Sequence, residues 1–185
     1  MRCNNDGNQI KEGREKSRST IIYKKKDKEM NLKHVNILLA DDDADDCLIF
    51  ERALKGFPLI THLVTVNDGE KLMKLLQNTN ELPHVLFLDF NIPCKNGLEC
   101  LKEIKQNNDL KHLPVIMYST SFENVVVDLL FESGAHYLIR KLAQFSIFKK
   151  TIRQALTLVT EENSSLPARE HFVLIIKDNL TINEL

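Results

Sequence analysis

The chain lacks several features that define whole classes of proteins. It has no tryptophan, and none of its apolar runs approaches the roughly 20 residues that a membrane-spanning helix needs. The N-terminus is polar where a signal peptide needs an apolar segment. The four cysteines, Cys3, Cys47, Cys94 and Cys100, lack the paired short spacings of a zinc site. These absences predict a cytoplasmic protein with reduced thiols and without a structural metal, a disulfide or a membrane span.

Charge is unevenly distributed along the chain. Residues 1–30 hold nine Lys/Arg against five Asp/Glu, a net of +4, which leaves −5 for the rest. This segment shows little apolar periodicity, so we predict a basic, disordered leader. A nucleic-acid-binding arm and an upstream start assignment ahead of Met30 are the alternatives. The negative charge of the remainder argues against direct contact with DNA.

From residue 35 onward, short apolar runs alternate with segments of helical period. This alternation predicts βα units on a parallel sheet, and the nearly continuous apolar character of three runs predicts strands covered on both faces. The predicted strands are Val35–Ala40, His62–Val66, Val85–Asp89, Pro114–Ser119 and His136–Arg140. The predicted helices are Asp45–Lys55, Gly69–Gln77, Leu98–Gln106, Glu123–Ser133 and Ile147–Thr160.

Capping residues and breaks in the pattern mark the helix ends. The predicted N-caps are Asn67 or Asp68, Asn96 and Ser146, and Gly134 is the predicted C-cap of the fourth helix. After Thr160 the pattern stops at "EENSSLPARE", a linker by composition. The following run, "HFVLIIKD", is either an added strand or a docking tail. The organisation as a whole predicts a doubly wound α/β domain.

Polar side chains follow four of the five predicted strands. Asp41 and Asp42 follow the first strand, Asp89 and Ser119 end the third and fourth, and Lys141 follows the fifth. Because functional groups of open parallel sheets gather at the carboxyl ends of the strands, these side chains should converge. Carboxylates about 4 Å apart repel by several kcal/mol at an effective dielectric near 20 unless a cation lies between them. A hard divalent cation with oxygen ligands, Mg²⁺ above all, suits such a site.

Four stretches in order carry a family resemblance: "ILLADDD", "VLFLDFNIPCKNGLECL", "PVIMYSTS" and "GAHYLIRKL". Residues 31–162 thereby resemble a receiver domain of a two-component response regulator. The resemblance implies a (βα)5 flavodoxin-like fold with a five-stranded parallel sheet in the order 2-1-3-4-5. Residues 163–185 would form a C-terminal tail. The 25 residues after Thr160 are too few for a DNA-binding domain, so we expect a stand-alone regulator without an output domain of its own.

The resemblance also implies a role for each polar residue. Asp89 would be the phospho-acceptor, which takes the phosphoryl group from a histidine kinase or a phosphotransfer protein. Ser119 would donate a hydrogen bond to a phosphoryl oxygen, and Lys141 would form an ion pair with the phosphoryl group. The implied Mg²⁺ ligands are Asp41, mainly through water, Asp42, Asp89 and the main-chain carbonyl of Asn91. Asp43, Asp45 and Asp46 are predicted to cap the first helix or to be solvated.

Two positions depart from the family pattern. Leu142 follows the lysine where a proline, often in a cis peptide, is usual, so a trans or rearranged loop is expected. Leu138 occupies the switch position that usually carries an aromatic side chain, with Tyr137 beside it. Signal transmission by rotation of an aromatic ring at this position is therefore not supported.

The fourth helix is too apolar for a helix with one buried side. Val126, Leu129 and Leu130 form one stripe, and Val127 and Phe131 form another. The spare stripe is a candidate surface for a downstream protein or a homodimer, on the face made by helix four, strand five and helix five. The alternative is that the core of the domain buries both stripes.

The predicted function is a phosphoacceptor signalling module that assists only its own phosphorylation and dephosphorylation and is otherwise not an enzyme. Output would run through protein partners, without DNA or membrane contact. One alternative is a small Mg²⁺-dependent aspartyl phosphatase, but such enzymes need a second acid two residues after the nucleophile, where this chain has Asn91. The other alternative is a phosphorylation-independent scaffold with the same fold.

Overall fold

The computed structural model describes residues 34–58, 60–120, 123–141, 144–161 and 166–175. The predicted leader, residues 1–30, and Leu142, at the place of the usual proline, lie outside the described residues. Within the described ranges, no helix has both the length and the apolar character required to cross a bilayer.

Six strands in the described residues form one sheet in which every neighbouring pair is parallel. They are β1 (His34–Ala40), β2 (Ile60–Val66), β3 (Val85–Asp89), β4 (Val115–Ser119), β5 (Tyr137–Arg140) and β6 (Val173–Leu174). The strand order is β2-β1-β3-β4-β5-β6. The predicted doubly wound α/β fold and the order of its first five strands are thus confirmed, and a sixth strand extends the sheet beyond β5.

Helices cover both faces of the sheet. They are α1 (Ala44–Leu54), α2 (Gly69–Asn78), α3 (Gly97–Gln106), α4 (Asn124–Glu132) and α5 (Phe145–Glu161). Helices α1 and α5 pack on one face, where Phe50 and Phe148 are buried against strand residues such as Phe87. Helices α2, α3 and α4 pack on the other face, with Leu101 and Leu130 fully buried. The central strands β1, β3 and β4 therefore contribute to two apolar layers, which is why their sequences are almost continuously apolar. The edge strand β2 has no buried residue and mixes polar with apolar side chains.

Two of the four predicted helix caps are confirmed. The Asp68 side chain caps α2 by accepting from Lys71 N at 2.7 Å, and Asn96 caps α3 in a reciprocal capping box with Glu99. The prediction for Ser146 is wrong: α5 begins at Phe145, so Ser146 lies in the first turn.

The end of α4 differs from the prediction by one residue. The C-cap is Ser133, and Gly134 follows it with φ +86°, a left-handed conformation that glycine adopts without steric cost.

The prediction of two intact apolar stripes on α4 is wrong. Val127 and Leu130, one from each predicted stripe, are the buried residues of this helix because they share one face at i, i+3 spacing. Val126 and Phe131 pack against the same layer but stay partly buried. The face of α4 that was predicted to be spare is therefore partly used inside the molecule.

Residues 166–175, here called the C-terminal segment, pack against α4 and cover part of its surface. The segment makes a 3-10 turn at Arg169–His171 and then adds β6 beside β5. Phe172 has no exposed surface and lies edge-on to Phe131 of α4, with ring centroids 5.4 Å apart. Leu138 N donates to Phe172 O at 2.9 Å, and Arg169 forms a 2.8 Å hydrogen bond from Nε to Asp128 Oδ1 on α4. Of the two alternatives for "HFVLIIKD", its described part adopts the added strand.

Candidate functional site

Asp41 stands at the carboxyl end of β1 and is almost wholly buried. Its backbone N–H donates to Val66 O at 3.0 Å, which continues the β1–β2 pairing past the last strand residue. Its Oδ1 accepts from Asp43 N at 3.0 Å. Asp41 is only 1% exposed, so its charge has little access to water. Burial raises the pKa of Asp41, although the hydrogen bond from Lys141 opposes that shift.

Asp89 ends β3 in the middle of the sheet and is 6% exposed. Its Oδ1 accepts from Asn91 N at 3.2 Å, so the loop that follows orients the carboxylate. Gly97, the first residue of α3, lies against this strand end. A Cβ atom there would come within 2.2 Å of Asp89 O, so only glycine allows α3 to start so close to Asp89.

The loop between β3 and α3 contains an unusual backbone conformation. Cys94 has φ 67°, the left-handed region that residues with a Cβ atom seldom adopt and that costs them of order 1 kcal/mol. Gly69 N donates to Pro93 O at 3.1 Å, which ties this loop to the start of α2. The loop beside Asp89 is thus held on both sides, by α2 and by α3.

Lys141 joins the separate strand ends. Its backbone N–H donates to Ser119 O at 2.8 Å, and its side chain is 9% exposed. The ammonium donates to Asp41 Oδ2 at 2.7 Å and to Asp89 Oδ2 at 2.9 Å. It also lies 4.7 Å from the centroid of the Tyr118 ring. Burial alone would lower the pKa of Lys141, but its hydrogen bonds to carboxylates raise that pKa above its ordinary value.

The structure brings most of the predicted site residues to one edge of the sheet. Asp41, Asp42 and Asp89 each offer one carboxylate oxygen, and these three oxygens lie within 4.8 Å of one another. Asp42 is exposed, so the cluster opens to solvent on its side. Ser119 ends β4 next to β3 and is 3% exposed. Asn91 contributes its backbone N–H to Asp89.

The donor set of this cluster fits a hard divalent cation. Carboxylate oxygens are the ligands that such ions prefer, and an open, solvated side leaves room for the waters that Mg²⁺ retains. Three acidic groups this close also repel one another unless positive charge lies among them. Lys141 supplies one positive charge, to Asp41 and Asp89, and a divalent cation next to Asp42 would offset most of the remaining negative charge.

One residue of the site was missed by sequence reasoning. Asp46, in the first turn of α1, accepts a hydrogen bond from Lys141 Nζ at 2.8 Å, whereas it was predicted to cap or to be solvated. The cap is Asp43, whose Oδ1 accepts from Asp45 N at 2.8 Å and from Asp46 N at 3.1 Å. That cap defines where α1 begins and so turns Asp46 toward the strand ends. Aspartates at the start of a helix commonly satisfy the helix itself, which is why the sequence pattern did not separate Asp46 from its neighbours.

Comparisons with known proteins agree with the fold and the site. A family model described as "Response regulator receiver domain" matches residues 37–153. Response regulator Rcp1 of Synechocystis sp. is 33% identical over 138 residues, which cover 71% of this chain and 92% of that protein. A probable chemotaxis protein CheY of Rhizobium etli is 28% identical over 109 residues, covering 58% of this chain and 81% of that protein.

Solved structures give the same result. The crystal structure of the Mn²⁺-bound form of Rcp1 matches with a TM-score of 0.62 at 31% identity and covers 72% of this chain and 99% of that one. The crystal structure of the phosphorylated cyanobacterial phytochrome response regulator RcpA matches with a TM-score of 0.64 at 28% identity, over 73% of this chain and 99% of that one. From the matched residues, the parallel sheet and the carboxylates at its edge, the chain belongs to the response regulator receiver domains, the phosphoacceptor signalling modules of two-component systems.

Proposed function

We propose that Asp89 accepts a phosphoryl group from a phosphohistidine of a histidine kinase or a phosphotransfer protein, with Mg²⁺ as the cation. The observation that carries the proposal is the position of Asp89 Oδ2, which shares the Lys141 ammonium with Asp41 and lies beside the open carboxylate cluster. An oxygen of Asp89 forms a bond to phosphorus as the bond from phosphorus to the imidazole nitrogen breaks. The product is an acyl phosphate on Asp89 and a free histidine on the partner.

Two residues of this chain are assigned to the phosphoryl oxygens. Lys141 already donates to Asp89 Oδ2, so its ammonium is in place to follow the charge as it moves onto a phosphoryl oxygen. Ser119 ends the strand next to Asp89, and its hydroxyl is assigned the donation to a second phosphoryl oxygen. Both groups are nearly excluded from water, which strengthens their electrostatic effect.

The metal ligands in this proposal are Asp42, Asp41 through water, Asp89 and the main-chain carbonyl of Asn91. When bound, Mg²⁺ would neutralise the acidic cluster and accept a phosphoryl oxygen. Asp42 is the exposed member of the cluster, so the phosphoryl donor would enter from its side. Asp41 is held by Asp43 N and Lys141, so its free lone pairs are oriented before any ligand arrives.

The partner surface is proposed on the face of α4, β5 and α5. Val125, near the start of α4, is 78% exposed, and Phe145, at the start of α5, is 43% exposed. Both helices start at the edge of the sheet that carries Asp89, so a shift of that edge reaches them directly. The C-terminal segment covers Phe131 farther along α4, which confines the proposed contact to the helix starts. The occupant is a downstream protein, with a homodimer as the alternative.

The proposal includes two features predicted from the sequence: a cytoplasmic location, and catalysis limited to the phosphoryl group of Asp89 itself. Asn91 occupies the place where an aspartyl phosphatase needs an acid, and its backbone N–H is committed to Asp89.

The test is phosphorylation by a small donor. The full chain is incubated with acetyl phosphate and Mg²⁺, and its intact mass is measured over time. We expect one added phosphoryl group in the native protein and none in Asp89→Asn. Asp109→Asn, a change on an exposed loop, is the matched control and should label like the native protein. Absence of labelling at every Mg²⁺ concentration would contradict the proposal and favour a scaffold, and turnover of a generic phosphatase substrate would favour a phosphatase.

A further inference from the structure

Asp46 is a member of the charged site to which the proposed function assigns no role. It lies on α1, whereas Asp41 and Asp89 lie at strand ends, yet its Oδ2 is as close to Lys141 Nζ, at 2.8 Å, as theirs are, at 2.7 and 2.9 Å. An ammonium carries three N–H donors, and these three carboxylates match them in number. The position of the nitrogen is therefore set by contacts with three separate elements of the fold.

The three carboxylates differ in what happens to them during phosphorylation. Asp89 changes partners because its oxygen becomes bonded to phosphorus. Asp41 shares its oxygens with the metal shell that the proposed function requires. Asp46 is assigned neither change, so its hydrogen bond to Lys141 is the one that can persist from the free to the phosphorylated state.

A fixed partner is useful because a lysine side chain is flexible. Its ammonium is a point charge on a four-carbon stem, and burial alone does not hold it at one place. Small displacements of a catalytic group lower reaction rates strongly, since proximity and orientation supply much of the rate enhancement. A carboxylate that stays bound to the ammonium would keep it beside Asp89 while the other two carboxylates are engaged elsewhere, and Asp46 is placed to do so.

We propose that Asp46 is a positioning residue for phosphoryl transfer, acting through Lys141; this inference rests on the proposed function. It holds the ammonium where a phosphoryl oxygen on Asp89 will lie. Capping does not explain the residue, because Asp43 already caps α1. Complementing the helix dipole does not explain it either, because Asp45 offers the same charge in the same turn and is exposed.

Asp45 therefore supplies the matched control. Phosphorylation rates are measured over a range of acetyl phosphate concentrations at saturating Mg²⁺, for the native protein, Asp46→Ala, Asp46→Asn and Asp45→Ala. We expect the saturating rate of Asp46→Ala to fall about tenfold, with the half-saturating donor concentration and the Mg²⁺ affinity within about twofold of native. Asp46→Asn retains an oxygen acceptor and should recover part of the lost rate. Asp45→Ala should react at the native rate.

Equal saturating rates for Asp46→Ala and Asp45→Ala would overturn the inference, as would an Asp46→Asn variant no faster than Asp46→Ala. Should Asp46→Ala fail to fold, Asp46→Asn is compared with Asp45→Asn, and equal saturating rates again overturn it. The native protein separates this inference from the function on which it rests. If the native protein labels on Asp89 while the Asp46 variants keep its rate, only the inference fails; if the native protein does not label, the proposed function fails.

Discussion

Two regions at the border of the same sheet are held together by opposite means. At the carboxyl ends of β1 and β3, buried carboxylates crowd around one ammonium, and the arrangement retains acidic groups close enough to repel. Along β5, the C-terminal segment is held by an apolar side chain, Phe172, and by strand pairing. Buried charge is expensive and seldom adds net stability, whereas burying a large apolar side chain contributes about 1.5–3 kcal/mol. The first region thus carries the proposed chemistry, and the second stabilises the fold.

Two partly buried lysines sharpen the contrast. Lys141 lies among carboxylates, which raise its pKa against the effect of burial. Lys105, on α3, donates instead to the backbone carbonyls of Lys111 and Leu113, at 3.1 and 2.7 Å. Burial lowers the pKa of Lys105 to about 8. A lysine among carboxylates therefore keeps its proton to a higher pH than a lysine beside backbone carbonyls, and the neighbouring anions cause this difference in pKa.

The largest expected effect is on the apolar region. Phe172→Ala should lower the free energy of unfolding by about 3 kcal/mol, because it removes a fully buried ring that packs on Phe131. Urea unfolding followed by circular dichroism measures the change. Phe145→Ala is the control, since Phe145 is 43% exposed and should cost under about 1 kcal/mol. A loss for Phe172→Ala as small as that of the control would show that the C-terminal segment does not stabilise the domain.

A second change acts on the charged region and leaves stability intact. Asp42→Asn removes the exposed carboxylate of the cluster without touching the contacts of Lys141, so Mg²⁺ affinity should fall at least about tenfold. Isothermal titration calorimetry measures the affinity. In the native protein, Mg²⁺ at 100 times its dissociation constant should add about 2.7 kcal/mol to the free energy of unfolding, and chelation should remove it. An unchanged affinity in Asp42→Asn would place the metal elsewhere.

A third, smaller effect depends on pH. Between pH 8 and 10.5 the unfolded chain holds a proton on Lys105 that the folded chain has lost, so folding stability should rise with pH in this window. The slope attributable to one group is at most about 1.4 kcal/mol per pH unit. Stability is measured for the native protein and Lys105→Met, and the difference between them should grow in favour of the native protein across the window.

The comparison with Lys105→Met is necessary because other groups titrate nearby. Burial raises the pKa of the Cys47 and Cys100 thiols to about 11, so their contribution to stability falls as pH rises above 9. That loss is common to both proteins and cancels in the difference. A difference independent of pH would show that Lys105 has an ordinary pKa.

The parts of the molecule that could be predicted from sequence are those encoded by local patterns. Apolar runs that end in Asp89 and Ser119 predicted strands β3 and β4 within one residue, because a strand covered on both faces tolerates few polar residues. The meeting of Asp41, Asp89 and Lys141 followed from the rule for carboxyl ends of parallel strands.

The parts that could not be predicted depend on contacts distant in the chain. In the sequence, Asp46 resembles any aspartate at the start of a helix. Its role depends on the hydrogen bond from Lys141, which is 95 residues away in the chain. Phe172 is equally ambiguous, because an apolar run after a linker is typical of a docked tail as well as of a strand. Whether this run forms a strand or a docked tail depends on Phe131 of α4 and on the open edge of β5. Neither is visible in the local sequence pattern.

The central claim, that Asp89 is the phospho-acceptor, is tested most directly by locating the phosphoryl group. The full chain is treated with acetyl phosphate and Mg²⁺, the acyl phosphate is reduced with borohydride, and the peptides are sequenced by mass spectrometry. Reduction converts the phosphorylated aspartate to homoserine, and we predict that conversion at Asp89, with Asp41, Asp42 and Asp46 unchanged. Homoserine at one of those three positions, with Asp89 intact, would contradict the account.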